Sequence, residues 1–145
     1  MQDPNLMVQY SAAPLIKASF CISGRDFDPA LVTRELGIEA TSIWKQSDQQ
    51  LRARLDLDNI GWYLTIEDKE SRSVSVAVEH LLQRVLPVAA RLPEVLRQTC
   101  ARAGVEVTVT ITEDRPVYDV SQSAIKDLAT LDCSFGLDIF DYSSP

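Results

Sequence analysis

Apolar and polar residues alternate along several stretches of the chain, which is the pattern of strands that are buried on one face. The first stretch is APLIKASFCISG, residues 13–24, and the clearest is VEVTVTIT, residues 105–112. FGLDIFDY, residues 135–142, follows the same pattern near the end of the chain. These runs predict three strands.

The segment LRARLDLDNIGWYLTIED, residues 51–68, contains two alternating runs whose phase changes between them. Leu55 and Leu57 share one parity, whereas Trp62 and Leu64 share the other. Because a tight turn over residues 58–61 would produce this change of phase, the segment predicts a β-hairpin. The preceding EATSIWKQSDQQ, residues 39–50, is expected to be an irregular connection.

Helical spacing replaces the alternation in DPALVTRELGI, residues 28–38. Asp28 stands at the N-cap position and Pro29 at the first helical position, where its missing N–H costs nothing. Val32 and Leu36 recur at helical spacing, and Gly37 can adopt the left-handed conformation that ends a helix. A capped helix is therefore predicted here.

A longer amphipathic pattern extends from residue 71 to residue 104 and is interrupted by Pro87 and Pro93. Because proline removes a helical hydrogen bond and clashes with the preceding turn, we expect a kinked helix or two consecutive helices, closed by Gly104. Ser121 can cap a last helix. Its residues expected to face inward are Ile125, Leu128 and Ala129.

The resulting order of strand, helix, hairpin, long helix, strand, helix and strand predicts an α+β fold. We expect a two-layer sandwich in which helices pack on a mostly antiparallel sheet. Both ends of the chain run from a strand through a polar turn to a capped helix, which leaves open a pair of pseudo-symmetric strand-helix units. With 145 residues, the chain fits a single domain at residues 15–142, preceded by a flexible N-terminal arm at residues 1–14.

Composition narrows the classes of function. Hydrophobic residues make up 46% and charged residues 24%, the ordinary balance of a globular protein. The chain has no long apolar run, and its opening lacks a signal-peptide pattern, so we expect a cytoplasmic protein that does not bind membranes. The net charge of −7 argues against nucleic acid as a partner and favours a basic protein.

The positions of the three cysteines indicate that they pack in the core and do not form disulfides or bind a metal. Cys21, Cys100 and Cys133 are far apart in sequence and form no CxxC pair, which argues against a disulfide framework and a zinc site. We expect each of them to serve as a small buried apolar group.

Candidate catalytic groups are sparse. Asp26 and Asp28 have a spacing at which aspartates can hold a metal, but Asp28 is better explained as a helix cap and Asp26 as a turn residue. His80, the single histidine, lies on a predicted helix with Glu79 turned about 100 degrees away, and we expect a surface or partly packed position. The sequence has no HExxH, no GxSxG and no glycine-rich phosphate loop. We therefore expect no catalytic residues, no metal and no cofactor, with a metal enzyme using Asp26 and Asp28 as a minor alternative.

The two tryptophans suggest different roles. Trp62 alternates with Leu64 and is expected in the core. Trp44 lies in a polar connection, where it either pins the loop to the core or stays on the surface as an anchor for a partner. We favour pinning.

Several segments together resemble the bacterial domain-of-unknown-function 4279 family over nearly the whole chain. They are FCISGRDFDPALVTRELGIEATSIWKQSD, GWYL, EHLL with a following proline, and LDIF. Where the family pattern leads us to expect glycine before Asp48, this chain has Ser47. The resemblance implies no established reaction.

Small acidic bacterial domains of this kind often look like immunity proteins, which bind and block a toxin domain encoded beside them. We therefore expect a non-enzymatic protein-binding module that inhibits a cognate toxin by occlusion. Its carboxylates would meet basic residues of the toxin, and Trp44 or Tyr63 would be an aromatic anchor. The carboxylates in question belong to Asp56, Asp58, Glu67, Asp68 and Glu70. The alternative is a small-molecule-binding or regulatory domain that forms a homodimer.

Overall fold

A five-stranded mixed sheet forms one layer of the molecule. The computed structural model describes residues 12–46 and 58–144. The strands lie in the order β2-β3-β1-β4-β5; β5 runs parallel to β4 and every other neighbouring pair is antiparallel. Their bounds are Leu15–Gly24 for β1, Ser42–Lys45 for β2, Ile60–Asp68 for β3, Arg102–Ile111 for β4 and Ser134–Asp141 for β5.

Helices form the second layer and confirm the predicted α+β sandwich. The α-helices are α1 at Pro29–Leu36, α2 at Val74–Val85, α3 at Leu92–Thr99 and α4 at Gln122–Thr130, with a 3-10 helix at Leu86–Arg91 between α2 and α3. The predicted pseudo-symmetry is not confirmed. The strands joined through α4 are neighbours in the sheet, whereas β3 lies between β1 and β2, the strands joined through α1.

The core lies between the helices and one face of the sheet. Phe20 of β1 is opposite Leu64 on one side and Val105 on the other, so the three central strands present a continuous apolar surface. Trp62 is fully buried, as predicted, and its ring meets that of Phe20 edge to face at 6.4 Å between centroids. Such an aromatic pair contributes about 0.5–1.5 kcal/mol beyond the apolar area it buries.

The predicted start and end of α1 are confirmed. The Asp28 side chain accepts a hydrogen bond from the Ala30 N–H at 3.0 Å, and Pro29 is the first helical residue. Gly37 has φ of +70°, and its N–H donates to the Thr33 carbonyl at 2.9 Å. Both ends of the helix are therefore satisfied by residues within it or beside it.

The two prolines divide the long predicted helix into two consecutive helices, α2 and α3, which confirms one of the two expected outcomes. The end of α3 differs from the prediction. Cys100, with φ of +52°, takes the left-handed position after Thr99, and Gly104 lies inside β4. Cys100 is exposed, so its predicted role as a buried packing group is wrong.

The segment around Trp44 was predicted to be irregular, but Ser42–Lys45 forms β2 on the edge of the sheet. The strand is four residues long and all of it is exposed, so it lacks the one-sided burial that gives strands their alternating pattern. The predicted turn at residues 58–61 is also wrong at its end, because Ile60 and Gly61 already belong to β3. Leu55 and Leu57, the other half of the predicted hairpin, lie outside the described residues.

Helix α4 begins as predicted but buries a different face. Ser121 accepts a hydrogen bond from the Ala124 N–H at 3.1 Å. Ala124 and Leu128 are buried, whereas Ile125 and Ala129 are exposed, which corrects the predicted orientation of those two residues. The short helix carries two apolar rows one residue apart, and only packing against α2 decides between them.

Candidate functional site

The sheet face opposite the core has no helix over it within residues 12–46 and 58–144, and we call it the open face. Alternation along each strand decides which side chains it presents. The cross-strand pairs Lys17 with Glu67 and Ser19 with Thr65 lie on it. Its other main side chains are those of Trp44, Tyr63, Cys21, Arg102, Glu106 and Asp138.

Two aromatic residues stand at the β2 side of the open face. Trp44 is 47% exposed and is paired with Gly61 of β3. The Tyr63 ring lies over Gly61, since a Cβ added there would come within 2.6 Å of Tyr63 Cε2. The expectation that Trp44 pins a loop to the core is therefore wrong, because strand pairing turns its side chain to the open face.

The middle of the open face contains a buried cysteine. Cys21 lies between Tyr63 and Gly104 on the neighbouring strands and is buried, as expected. Burial, and after it the charge of Glu106, raises the pKa of the Cys21 thiol well above its usual range. Burial also raises the pKa of the Tyr63 hydroxyl, with added effects of Cys21 and Glu106. Both groups therefore stay protonated at neutral pH.

Three of the predicted partner-binding carboxylates lie together where β3 ends. Glu67 pairs with Lys17 at 3.5 Å, and the Asp68 carboxylate accepts hydrogen bonds from the Ser71 N–H at 2.8 Å and the Glu70 N–H at 2.9 Å. Partial burial opposes ionisation of Asp68, but these bonds outweigh it and the pKa of the carboxyl is lowered. Asp68 thus shapes the loop that carries Glu67 and Glu70.

Sequence reasoning missed the acidic residues that the fold adds to this end of the sheet. Arg72 pairs with Asp114 at 3.3 Å, which joins the loop after β3 to the loop after β4. Arg115 pairs with Asp141 at 2.7 Å and adds the end of β5. The acidic turn EDRP, residues 113–116, is visible in the sequence, but which segments lie beside it depends on strand order. We call Glu67, Asp68, Glu70, Glu113, Asp114 and Asp141 the acidic end.

The remaining predicted carboxylates lie elsewhere. Asp58 precedes β3 at the opposite end of the strand and pairs with Arg102. A strand of nine residues spans about 30 Å, so Asp58 and Glu70 cannot contact one small region of a partner. Asp56 lies outside the described residues.

His80 is exposed, in agreement with the prediction, and faces the acidic end. Together with residues 67–71 it lines a shallow cavity of about 590 Å³. The charge of His80 contributes, after the hydrogen bonds, to the lowered pKa of Asp68.

A larger groove of about 930 Å³ lies where β4 and β5 begin, beside α3. Its lining includes Cys21, Arg97, Glu106, Cys133 and Phe135. Burial raises the pKa of the Cys133 thiol to about 11, and the charge of Asp132 adds to this effect. Since the thiolate is the nucleophilic form of cysteine, neither Cys21 nor Cys133 is activated for catalysis in this groove.

Asp26 and Asp28 have separate roles. Asp28 caps α1, while the Asp26 carboxylate accepts a hydrogen bond from the Asn59 side chain at 2.8 Å. In the part of the chain that the structure describes, no three His, Cys, Asp or Glu residues are grouped in a way that could hold a metal ion.

The predicted N-terminal arm touches the acidic end where it enters the domain. The Ala12 carbonyl accepts a hydrogen bond from the Asp114 N–H at 2.9 Å, and Pro14 is buried. Residues 1–11 of the predicted arm lie outside the described residues.

Comparisons with known proteins agree with the resemblance seen in the sequence. Among the described residues, none of the helices has the length and apolar character needed to cross a membrane. Searches of curated proteins and of solved structures find no match. The model of one family, Domain of unknown function (DUF4279), matches residues 14–142, which is most of the chain. The protein is therefore a member of the DUF4279 family.

Proposed function

We propose that the protein is a non-enzymatic binding module of the cytoplasm whose open face and acidic end engage a basic protein. Its partner in this proposal is a toxin domain encoded beside it, which it blocks as an immunity protein. The observation that carries the proposal is the exposure of Trp44 on a sheet face that no described helix covers.

Trp44 has the properties of an interface anchor. Exposed tryptophans supply a large contact area with few rotatable bonds, and they are enriched among residues that dominate binding energy. Trp44 also stands on a paired strand beside Gly61 and near Tyr63, so little freedom is lost when it is covered. These features favour a protein partner over a role in stability.

Charge supports the same class of partner. The chain carries a net charge of −7, and Glu67 of the acidic end lies about 20 Å along β3 from the level of Trp44. An interface of ordinary size spans this distance. Lys17, Arg72 and Arg115 neutralise part of the acidic end, and the negative charge that remains would attract a basic surface while Trp44 entered an apolar recess.

Co-expression with the protein encoded next to this chain tests the proposal. A complex that co-purifies, together with rescue of cell growth, is the expected result, and Trp44→Ala should weaken the affinity at least about 10-fold. Ile43→Ala is the matched control, because Ile43 is 51% exposed on the same strand but faces the other side of the sheet. Failure to form a complex, or equal loss of affinity in both variants, would contradict the proposal.

The charge of the acidic end is tested by the rate of association. Glu70→Lys should slow association and reduce its dependence on ionic strength, with little change in dissociation. Glu35→Lys on α1 is the control, since this residue lies on the helical layer. Equal effects of the two substitutions would show that overall charge, and not the acidic end, guides the partner.

The groove of about 930 Å³ favours a second candidate, a module that binds a small molecule, because ligand sites have volumes of this order. Gly136 lines the groove, and a Cβ added there meets no atom within 4 Å. A metabolite that raises the melting temperature of the wild type and not of Gly136→Phe would support this candidate over the first.

A further inference from the structure

Strand β5 is a long edge strand whose charged residues are two aspartates. It is eight residues long, all of them exposed, and it contains no Pro, Lys or Arg. Phe135, Leu137 and Ile139 expose their side chains on the face that elsewhere forms the core. Edges are normally short, charged or bulged because unpaired strands add further strands. The opposite edge, β2, has only four residues and carries Lys45.

The outer backbone groups of β5 can be assigned from one hydrogen bond. The Tyr142 N–H donates to the Ile111 carbonyl of β4 at 2.8 Å. Because these groups alternate in direction along a strand, the N–H and C=O of Phe135, Leu137 and Ile139 point away from β4. Within the described residues no strand pairs with this outer edge.

If two copies of the chain paired their β5 strands in antiparallel fashion about a two-fold axis, the sequence of β5 would be complementary to itself in one register. When Leu137 lies on the two-fold axis, it faces Leu137 of the second copy, and Phe135 faces Ile139. All of these residues have outward backbone groups, so they would exchange about six hydrogen bonds. The core-side faces of both copies would then form one apolar surface.

Charge and side-chain direction argue against two of the neighbouring registers. A shift by one residue would place the apolar residues of one copy on the polar side of the other. A shift that moves Asp138 onto the axis would place two aspartates directly opposite each other, which is unfavourable. With Leu137 on the axis, Asp138 faces Gly136 instead.

The helical layer offers further apolar surface beside this edge. Helix α4 connects β4 to β5 and packs against α2 on the helical side of the sheet. Its Ile125 is 55% exposed, and Ala129, one turn further, is exposed as well. These residues therefore add exposed apolar surface on the same layer as the connection between β4 and β5.

We propose that the protein forms a symmetric homodimer in which the β5 strands of two copies pair in antiparallel fashion with Leu137 on the two-fold axis. The sheet becomes continuous across both copies, and Trp44 is left free at each outer edge. The dimer does not depend on the proposed toxin partner, because β2 and β5 are opposite edges of the sheet.

Light scattering on the full chain at about 100 µM tests the dimer. The expected mass is twice the 16.1 kDa of one chain, and the melting temperature should rise with protein concentration because dissociation accompanies unfolding. A monomeric mass at this concentration would overturn the proposal without any variant.

Charge substitutions test the register. Leu137→Asp and Leu137→Lys should each be monomeric, with a dissociation constant raised at least about 100-fold, because like charges meet on the axis. An equimolar mixture of the two should recover the dimer mass as a heterodimer. Ile43→Lys on β2 is the control and should remain dimeric. A dimer that survives Leu137→Asp, or folded variants whose mixture stays monomeric, would refute the proposed interface.

Discussion

Asp26 and Asn59 are joined by two reciprocal hydrogen bonds, although they lie far apart in the sequence. The Asp26 N–H donates to Asn59 Oδ1 at 3.0 Å, and Asn59 Nδ2 donates to Asp26 Oδ1 at 2.8 Å. The Asn59 main chain bonds to the Gly24 carbonyl at 2.9 Å and to the Gln46 N–H at 2.8 Å. Asn59 is 4% exposed, so it joins the ends of β1 and β2 to the beginning of β3 inside the protein.

Asn59→Ala should lower the free energy of unfolding by about 1–3 kcal/mol, because it removes both partly buried hydrogen bonds to Asp26, each worth about 0.5–1.5 kcal/mol. Urea denaturation of the purified chain measures this change. Asp26→Asn is the matched control, since asparagine keeps the acceptor oxygen and tolerates the φ of +55° at this position. A loss in the control as large as that in Asn59→Ala would show that the charge of Asp26, and not its geometry, is what matters.

Asp28→Ala should lower the free energy of unfolding by about 0.5–2 kcal/mol through loss of the N-cap, while partner binding stays intact. Thermal unfolding and the affinity for the co-purified partner are measured on the same variant. Asp28→Ser retains a capping oxygen and should behave like the wild type. Lost binding at an unchanged melting temperature would instead return Asp28 to the candidate binding residues.

The lowered pKa of Asp68 predicts that the stability of the folded protein decreases at acid pH. The folded state binds a proton at this carboxyl less readily than the unfolded state, whose pKa is about 3.9. The ionised group therefore stabilises the fold above about pH 4, and this contribution is lost as the pH falls through the lower folded pKa.

Asp68→Asn should reduce stability at pH 7 by about 0.5–2 kcal/mol and flatten the decline of stability below about pH 4. Urea midpoints measured from pH 2 to pH 7 check both effects. Asp119→Asn, in an exposed loop, is the control and should keep the wild-type profile. If the stability of Asp68→Asn fell below about pH 4 as steeply as that of the wild type, Asp68 would be excluded as the source of this acid dependence.

The three thiols should react at different rates with a disulfide reagent at pH 8. Cys100 is exposed and should react first, whereas burial keeps the pKa of Cys133 at about 11 and that of Cys21 higher still. Because the thiolate is the reactive form, these two should react at least about 10-fold more slowly until the chain is unfolded. Cys100→Ser should remove the fast phase, and a fast phase that persists would contradict the assignment.

Local signals explain which parts of the fold could be predicted. Two predictions rested on signals that act within a few residues, and the structure confirms both. These signals are the alternation that predicts β4, and the cap, proline and glycine that predict α1. Helix α4 was predicted with Ile125 inward because two apolar rows fit its sequence equally well. Choosing between them requires the position of α2, which a single sequence does not supply.

The candidate site depended even more on pairing between distant segments. Trp44 was identified as a candidate anchor, but its direction follows from pairing with Gly61. The acidic end combines the ends of β3 and β5 with the loops after β3 and β4, and Asp58, which the sequence grouped with Glu67, lies at the other end of β3. Strand order and register carry this information, and neither is visible in local composition.

The central position of β1 has a consequence for how the chain folds during synthesis. Phe20 has Leu64 on one side and Val105 on the other, so neither edge of β1 is completed by residues close to it in sequence. Such non-local pairing slows folding, because long loops must close before any contact compensates for them. One edge of β1 can pair once β3 has left the ribosome, but the other edge stays unpaired until β4 follows, and chaperones would act on the chain in that interval.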